Sequence, residues 1–327
     1  MSEQNSTQNP LMSRTKSQVS PSLETTACGK AIITGEHAAV YGAHAVAIPL
    51  HQMRFRFNMT QKTMRLGSAP EIHLTLAGHE GSPRLKAVVL HAMELLRIEP
   101  FSLDAETHSS LPIGAGLGSS ATLCVAVLRA LSQAKGLSLP EPLLAQLANE
   151  LEKSFHGNPS GLDTAVVAFE KAVLFAKNQK IEVLNISSDL TSEFVLIDSN
   201  IRASTLAMIR IAEPYFMGSE GDRRIQAFDT IALTTHRALE IGSPDLLAES
   251  MNDCGKLLKE AGVVPANIED MIAKTRALGA PAAKSTGAGG GGVIIGLLPN
   301  DLMDRERCYR DIIHAFKGHA VYRVSLR

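Results

Sequence analysis

The 327-residue chain reads as an α+β protein of two domains, on three observations. Alternating, strand-like segments mix with helical ones through the N-terminal half, an antiparallel or mixed sheet with helices packed on one side. The composition turns polar around 180–195, where a second domain begins. Three helical stretches, a glycine run and three strands then fill the C-terminal part. The expected division is a tail over 1–22, an N-terminal domain over 23–188 and a smaller C-terminal domain over 189–327.

Taken in order, the first twenty residues are rich in Ser, Gln, Asn and Thr and lack an apolar signal core, so they read as a disordered tail. Strands follow at Lys30–Gly35, Ala45–Leu50, Met53–Thr60 and Ile72–Leu76. A helix over Leu85–Leu96 and a strand over Phe101–Thr107 lead to a glycine loop, and a helix over Ala121–Ala134 comes directly after it. Leu143, Leu147, Leu151 and Phe155 recur every fourth residue, the stripe of another helix. Strand-like runs at Ala165–Phe169 and Ala172–Ala176 follow an irregular Gly/Pro segment. In the second part, Phe194–Asp198 is a strand. Helices cover about Ile225–Glu240, Ala248–Ala261 and Ile268–Leu278. The loop Lys284–Gly292 feeds a strand at Val293–Leu298, and Ala320–Ser325 closes a small sheet.

Composition removes several function classes. A net charge of −1, scattered basic residues and few aromatics (Trp 0, Tyr 4, Phe 10) do not make a nucleic-acid surface. No apolar run reaches 18 residues, so no membrane span is expected. Cys28, Cys124, Cys254 and Cys308 are far apart, with no Cys-x-x-Cys pair, which argues for reduced cytoplasmic thiols rather than a zinc site or disulfide scaffold. Cys124 reads as a small core residue.

The chemistry is concentrated in Leu-Pro-Ile-Gly-Ala-Gly-Leu-Gly-Ser-Ser-Ala, residues 111–121. Gly114, Gly116 and Gly118 allow positive φ and close backbone approach, and the helix starting near Ser120 adds unpaired N–H groups and a positive dipole end. Pro112, Ala115, Leu117 and Ser119 complete a loop suited to a triphosphate. No Walker A loop exists, and the sixth position from Gly114 is Ser119, so the dinucleotide fingerprint fails. Gly287, Gly289 and Gly292 match that fingerprint by spacing but precede a strand rather than a helix. Phosphoryl transfer also needs a divalent cation, a positive group and something to orient the acceptor hydroxyl. Glu152 reads as lying on the exposed side of its helix. Asp163, eleven residues later, leaves the loop His156-Gly-Asn-Pro-Ser-Gly-Leu-Asp163. The two carboxylates can converge, with Ser119 and Ser120 supplying hydroxyls.

The order of three blocks resembles the GHMP kinase family, in particular its mevalonate-phosphorylating branch. These are Gly29-Lys-Ala-Ile-Ile-Thr-Gly-Glu-His-Ala-Ala-Val-Tyr-Gly42, then Pro112–Ala121 with His156–Asp163, then Lys284-Ser-Thr-Gly-Ala-Gly-Gly-Gly-Gly292. The likeness covers most of the chain. Cys28 stands where the family usually has proline. The resemblance implies a two-domain kinase with a ferredoxin-like C-terminal domain, acting on ATP·Mg²⁺ and the primary hydroxyl of mevalonate. It implies Asp163 and Lys30 as catalytic residues, and Ser120 and Glu152 as magnesium ligands. Pro112–Ser120, Gly287 and Gly289 would hold ATP. Lys30, Glu36, His37, Asp163, Ser204 and Thr205 would line the acceptor site, and a homodimer is compatible with this reading. Two alternatives stay open: a family kinase for another acceptor, such as phosphomevalonate or a sugar, and a non-catalytic ATP or metabolite sensor.

Overall fold

A computed structural model describes residues 22–63, 68–76, 79–81, 83–157 and 159–326. The expected tail falls almost wholly outside these residues, as does Asn158 of the Gly/Pro loop.

The N-terminal sheet is built on one long strand. β1 (Leu23–Thr34) pairs antiparallel with β2 (Ala45–Gln61), and β2 also pairs with β5 (Leu103–Ser109) and β6 (Val173–Phe175). β3 (Ile72–Leu76) lies parallel to β5, β4 (His79–Glu80) pairs with β3, and β7 (Glu182–Val183) extends β6, making a mixed seven-stranded sheet. The two strands expected at 45–50 and 53–60 are one element. The register of β1 on β2 jumps from Gly29↔Leu50 to Cys28↔Arg54, a bulge that keeps Phe55, Phe57 and Met59 pointing into the core.

Helices α1 (Pro83–Leu95), α2 (Ser119–Ala134), α3 (Glu141–His156) and α4 (Leu162–Phe169) accompany this sheet. α4 replaces the strand expected at Ala165–Phe169. Leu162 and Thr164–Ala168 are all buried, so the segment has no polar face and its pattern cannot distinguish a helix from a buried strand. α3 corrects the expected stripe as well. It packs between α2 and α4, burying Leu144, Ala145, Ala148, Leu151 and Glu152, while Leu143 is 40% exposed.

The second sheet contains β8 (Glu193–Asp198), β9 (Ala282–Ser285), β10 (Val293–Leu297) and β11 (Val321–Ser325) in the order β11-β8-β10-β9, all antiparallel. With helices between β8 and β9 and between β10 and β11, this is the β-α-β-β-α-β arrangement of a ferredoxin-like domain. α5 (Thr205–Ala212), α6 (Gly221–Ile241), α7 (Pro244–Glu260), α8 (Ala266–Ala277) and α9 (Leu302–Ala315) surround it. α5 and α9 were not expected. α5 is a short helix of 8 residues, and α9 is charge-rich and buries only Arg305, Cys308 and Ile312.

The sheets share one apolar cluster, running from Phe57 and Leu128 through Met251 to Leu196 and Ile295. Polar stitches cross the same junction. The Thr286 hydroxyl donates to the Ile32 carbonyl and accepts from the Ile32 N–H, both at 3.0 Å, and Thr34 donates to Thr235 at 3.0 Å. All four cysteines are buried and free. The fold does bring Cys28, His51 and Glu170 within 4.8 Å of one another, which the sequence spacing did not indicate. Glu170 is already spent there, on Arg129 at 2.6 Å and Arg54 at 3.6 Å, so the cluster is an ion-pair network. Among the described residues, no helix is long and apolar enough to cross a membrane.

Candidate active site

Where the two sheets meet, a cavity of about 590 Å³ opens beside the glycine loop. Lys30, on β1, is 2% exposed on its wall; its Nζ donates to the Gly116 carbonyl at 3.0 Å and pairs with Asp163 Oδ1 at 3.0 Å. Asp163 arrives from the first turn of α4. α3 ends at Gly157 (φ 70°), and the chain turns again at Gly161 (φ 94°), which starts the next helix. The carboxylate remains 33% exposed to the cavity. A Cβ on Gly118 would approach Lys30 Cγ to 2.9 Å, so glycine is needed for the lysine to pass under the loop.

The start of α2 faces this space with Gly118 (φ 81°) as N-cap and no side-chain cap. Its first N–H groups are therefore available to an anion. Ser119 Oγ is buried without a hydrogen-bond partner. Ser120 Oγ donates to Glu152 Oε1 at 2.6 Å. Glu152 is not on the exposed side of its helix as expected but 2% exposed, because α2 and α4 cover that face. Burial, then the charge of Asp163, pushes its carboxyl up to about 7; the Ser120 hydrogen bond and Lys30 offset only part of this.

Glu36 follows β1 and is equally buried, but its charge is answered within the chain. Lys284 Nζ donates to one carboxylate oxygen and, at 2.8 Å, to the Ser285 carbonyl. The Cys254 thiol donates to the other carboxylate oxygen at 3.3 Å. Burial and Glu36 hold that thiol far above its usual range, so it stays a protonated donor. His37, at φ 59°, places Nε2 2.9 Å from the Ala288 carbonyl, which can only accept, so Nε2 carries the hydrogen. Burial holds this imidazole below its usual pKa despite the Ala288 bond and the nearby Glu36 charge, leaving it neutral.

The glycine turn after β9 leans on the phosphate loop. A Cβ on Gly287 would reach Gly116 Cα at 3.2 Å, and one on Gly292 would reach the Ala115 carbonyl at 2.8 Å. The cavity wall includes Lys30, Glu36, His37, Gly114, Gly116, Gly118, Ser119, Ser120, Glu152, Asp163, Ser204, Thr205 and Gly287. Pro112, Ala115, Leu117 and Gly289 are not on it. Ala115 and Leu117 are anchored in the core, and Gly289 packs against Val263.

The GHMP kinases N terminal domain model matches residues 85–171, and the GHMP kinases C terminal model matches residues 235–318. A mevalonate kinase of Archaeoglobus fulgidus is 32% identical over 280 residues, covering 84% of this chain and 91% of that protein. The chain belongs to the GHMP kinase family. Its fold is also that of the L. major mevalonate kinase solved with R-mevalonate, with TM-score 0.77 and 22% identity over 92% of this chain and 95% of that one. The Streptococcus pneumoniae phosphomevalonate kinase solved with phosphomevalonate and AMPPNP gives TM-score 0.77 and 19% identity, over 93% and 99%. The fold alone therefore does not choose between acceptors.

For this GHMP kinase, the residues that sequence reasoning passed over are Lys284, Cys254 and Arg84. Lys284 stands in β9, all four of whose residues are buried, so it needs a buried partner. Arg84 donates from Nε to the Ser154 carbonyl at 2.9 Å, with its guanidinium 4.8 Å from the Phe155 ring centroid, and both Arg84 and Phe155 line the cavity. Neither Arg84 nor Cys254 carries a local sequence signal.

Proposed function

We propose that this chain is an ATP-dependent kinase that phosphorylates the primary hydroxyl of mevalonate. The observation carrying this reading is the grouping of the uncapped α2 start, Lys30 and the partly exposed Asp163 on one cavity wall. The name of the Archaeoglobus relative supports the acceptor. Glu36, His37, Ser204 and Thr205 then border the acceptor, and Gly114–Ser120 with Gly287 border the triphosphate. We place the boundary between the two domains near residue 188, between β7 and β8.

The donor set fits magnesium: a buried carboxylate, Glu152, bonded to the Ser120 hydroxyl, with a second hydroxyl, Ser119 Oγ, buried without a hydrogen-bond partner. When bound, the cation would offset charge on the phosphate oxygens. In the transfer itself, the acceptor oxygen forms a bond to the γ-phosphorus as the bond from that phosphorus to the ADP oxygen breaks. Asp163 orients the acceptor hydroxyl and receives its proton. Lys30 keeps Asp163 in place and neutralises charge beside the Gly116 carbonyl. A loose transition state needs no early deprotonation, so orientation is the larger contribution.

The test is ADP release with mevalonate, phosphomevalonate, galactose and homoserine as acceptors. Mevalonate should give the dominant rate; a response to phosphomevalonate alone would reverse the acceptor assignment, and ATP binding with no turnover on any acceptor would favour a sensor.

A further inference from the structure

Arg202 lies outside the cavity wall, in the crossing from β8 to α5, yet it makes a directed contact with the phosphate loop. Its Nε donates to the Ile113 carbonyl at 2.9 Å, while Nη1 and Nη2 donate to Asp198 Oδ1 and Oδ2, each at 2.7 Å. Nη1 also donates to the Ile201 carbonyl at 3.3 Å, so most of the guanidinium's N–H groups are spent within the protein. Among the described residues, no other hydrogen bond joins residues 112–118 to the C-terminal half.

The other end of this brace is firmly held. Asp198 ends β8, where its N–H donates to the Ala320 carbonyl at 2.9 Å and its carbonyl accepts from His319 Nδ1 at 2.8 Å. Its Oδ1 also accepts from the Asn200 N–H at 2.9 Å. Beyond Arg202, Ala203 packs against Gly290, where an added Cβ would approach Ala203 Cβ to 2.7 Å, and Ser204 and Thr205 then enter the cavity wall.

We propose that Arg202 is a positioning residue for the phosphate loop, tying the Ile113 carbonyl to the Asp198 anchor and thereby aiming the Gly114 N–H. The reasoning is geometric. A trans peptide is planar, with C=O and N–H pointing opposite ways, so holding the Ile113 carbonyl toward Arg202 turns the Gly114 N–H away from it. Ile113 and Gly114 line the cavity and Arg202 does not, so we infer that the N–H turned away from Arg202 faces the cavity. Gly114, at φ 68°, is a joint that would otherwise rotate readily. The same segment carries Ser204 and Thr205, so the brace sets the spacing between the acceptor wall and the donor loop.

This inference rests on the kinase reading for its readout, which is MgATP affinity measured by calorimetry without acceptor. Arg202→Met should weaken MgATP about tenfold, the scale of one lost charge-assisted brace. Arg202→Lys should be as weak, because an ammonium cannot form the fork to Asp198 and reach Ile113 together. Asp198→Asn should shift affinity in the same direction by a smaller factor. Thermal melts identify which variants fold, and any one that folds gives the reading. Wild-type affinity in Arg202→Met, restoration by Arg202→Lys, or a rise confined to the acceptor KM would overturn the proposal; the last would make Arg202 an acceptor ligand. If wild-type protein itself fails to bind MgATP, the kinase reading falls first.

Discussion

Glu36 and Glu152 are both buried carboxylates on the wall of one cavity, and their surroundings are opposite. Glu36 meets an ammonium from Lys284 and a thiol from Cys254, with its charge neutralised by groups as buried as itself. Glu152 meets a hydroxyl from Ser120 and the like charge of Asp163, and its carboxyl rises to about 7. A buried charge closed by a salt bridge holds the shape of the cavity, whereas a carboxyl pushed up by burial and a like charge is the kind of perturbed group that functional sites collect. The difference separates the part of the cavity held by a closed ion pair from the part proposed to handle phosphate.

The comparison breaks most visibly at Lys284. Lys284→Met should cost about 3–5 kcal/mol of stability by leaving Glu36 uncompensated. Denaturant unfolding checks this, and a loss below 1 kcal/mol would show that Glu36 has another counter-charge. Asp163→Asn should lower kcat about 10²-fold or more, equivalent to ~2.7 kcal/mol, with ATP binding retained. Full turnover in that variant would remove Asp163 from the reaction.

Glu152 should respond to pH in a direction set by its raised pKa. The folded protein holds the proton up to about 7 while the unfolded chain releases it near 4.5. The folded state therefore binds more protons in that window, and this group's contribution to stability falls as pH rises through it. In EDTA, Glu152→Gln should gain on wild type as pH climbs from 5 to 8, on the order of 2 kcal/mol. A constant gap between the two melting curves would mean that the Glu152 carboxyl is not raised in the folded protein. Cys254→Ala should have the smallest effect, about 1 kcal/mol, because the thiol supplies one weak hydrogen bond and little volume. Denaturant midpoints resolve a change of that size.

The part of the cavity proposed to handle phosphate was legible as a candidate in the sequence because it is local. Residues 112–118 are one loop that runs straight into α2, and Glu152 and Asp163 are separated by a helix end and a Gly/Pro turn. The structural side was not. Cys254 and Lys284 reach Glu36 from 218 and 248 residues away, and Arg202 reaches Ile113 across 89. Periodicity also fails where an element is covered on more than one face. α4 hid as a strand for that reason, and Glu152 was assigned to solvent because the helices packed on both sides of α3 leave no trace in its own residues.

The Thr286 hydroxyl has a consequence for anyone who would cut this protein in two. It serves as both donor and acceptor to Ile32, satisfying main-chain groups of β1, which among the described residues pairs with β2 alone. An isolated N-terminal fragment would expose that N–H and C=O, together with the apolar surface that Met251 and Ile295 now cover. Separately expressed halves should therefore aggregate, and recover only when produced together.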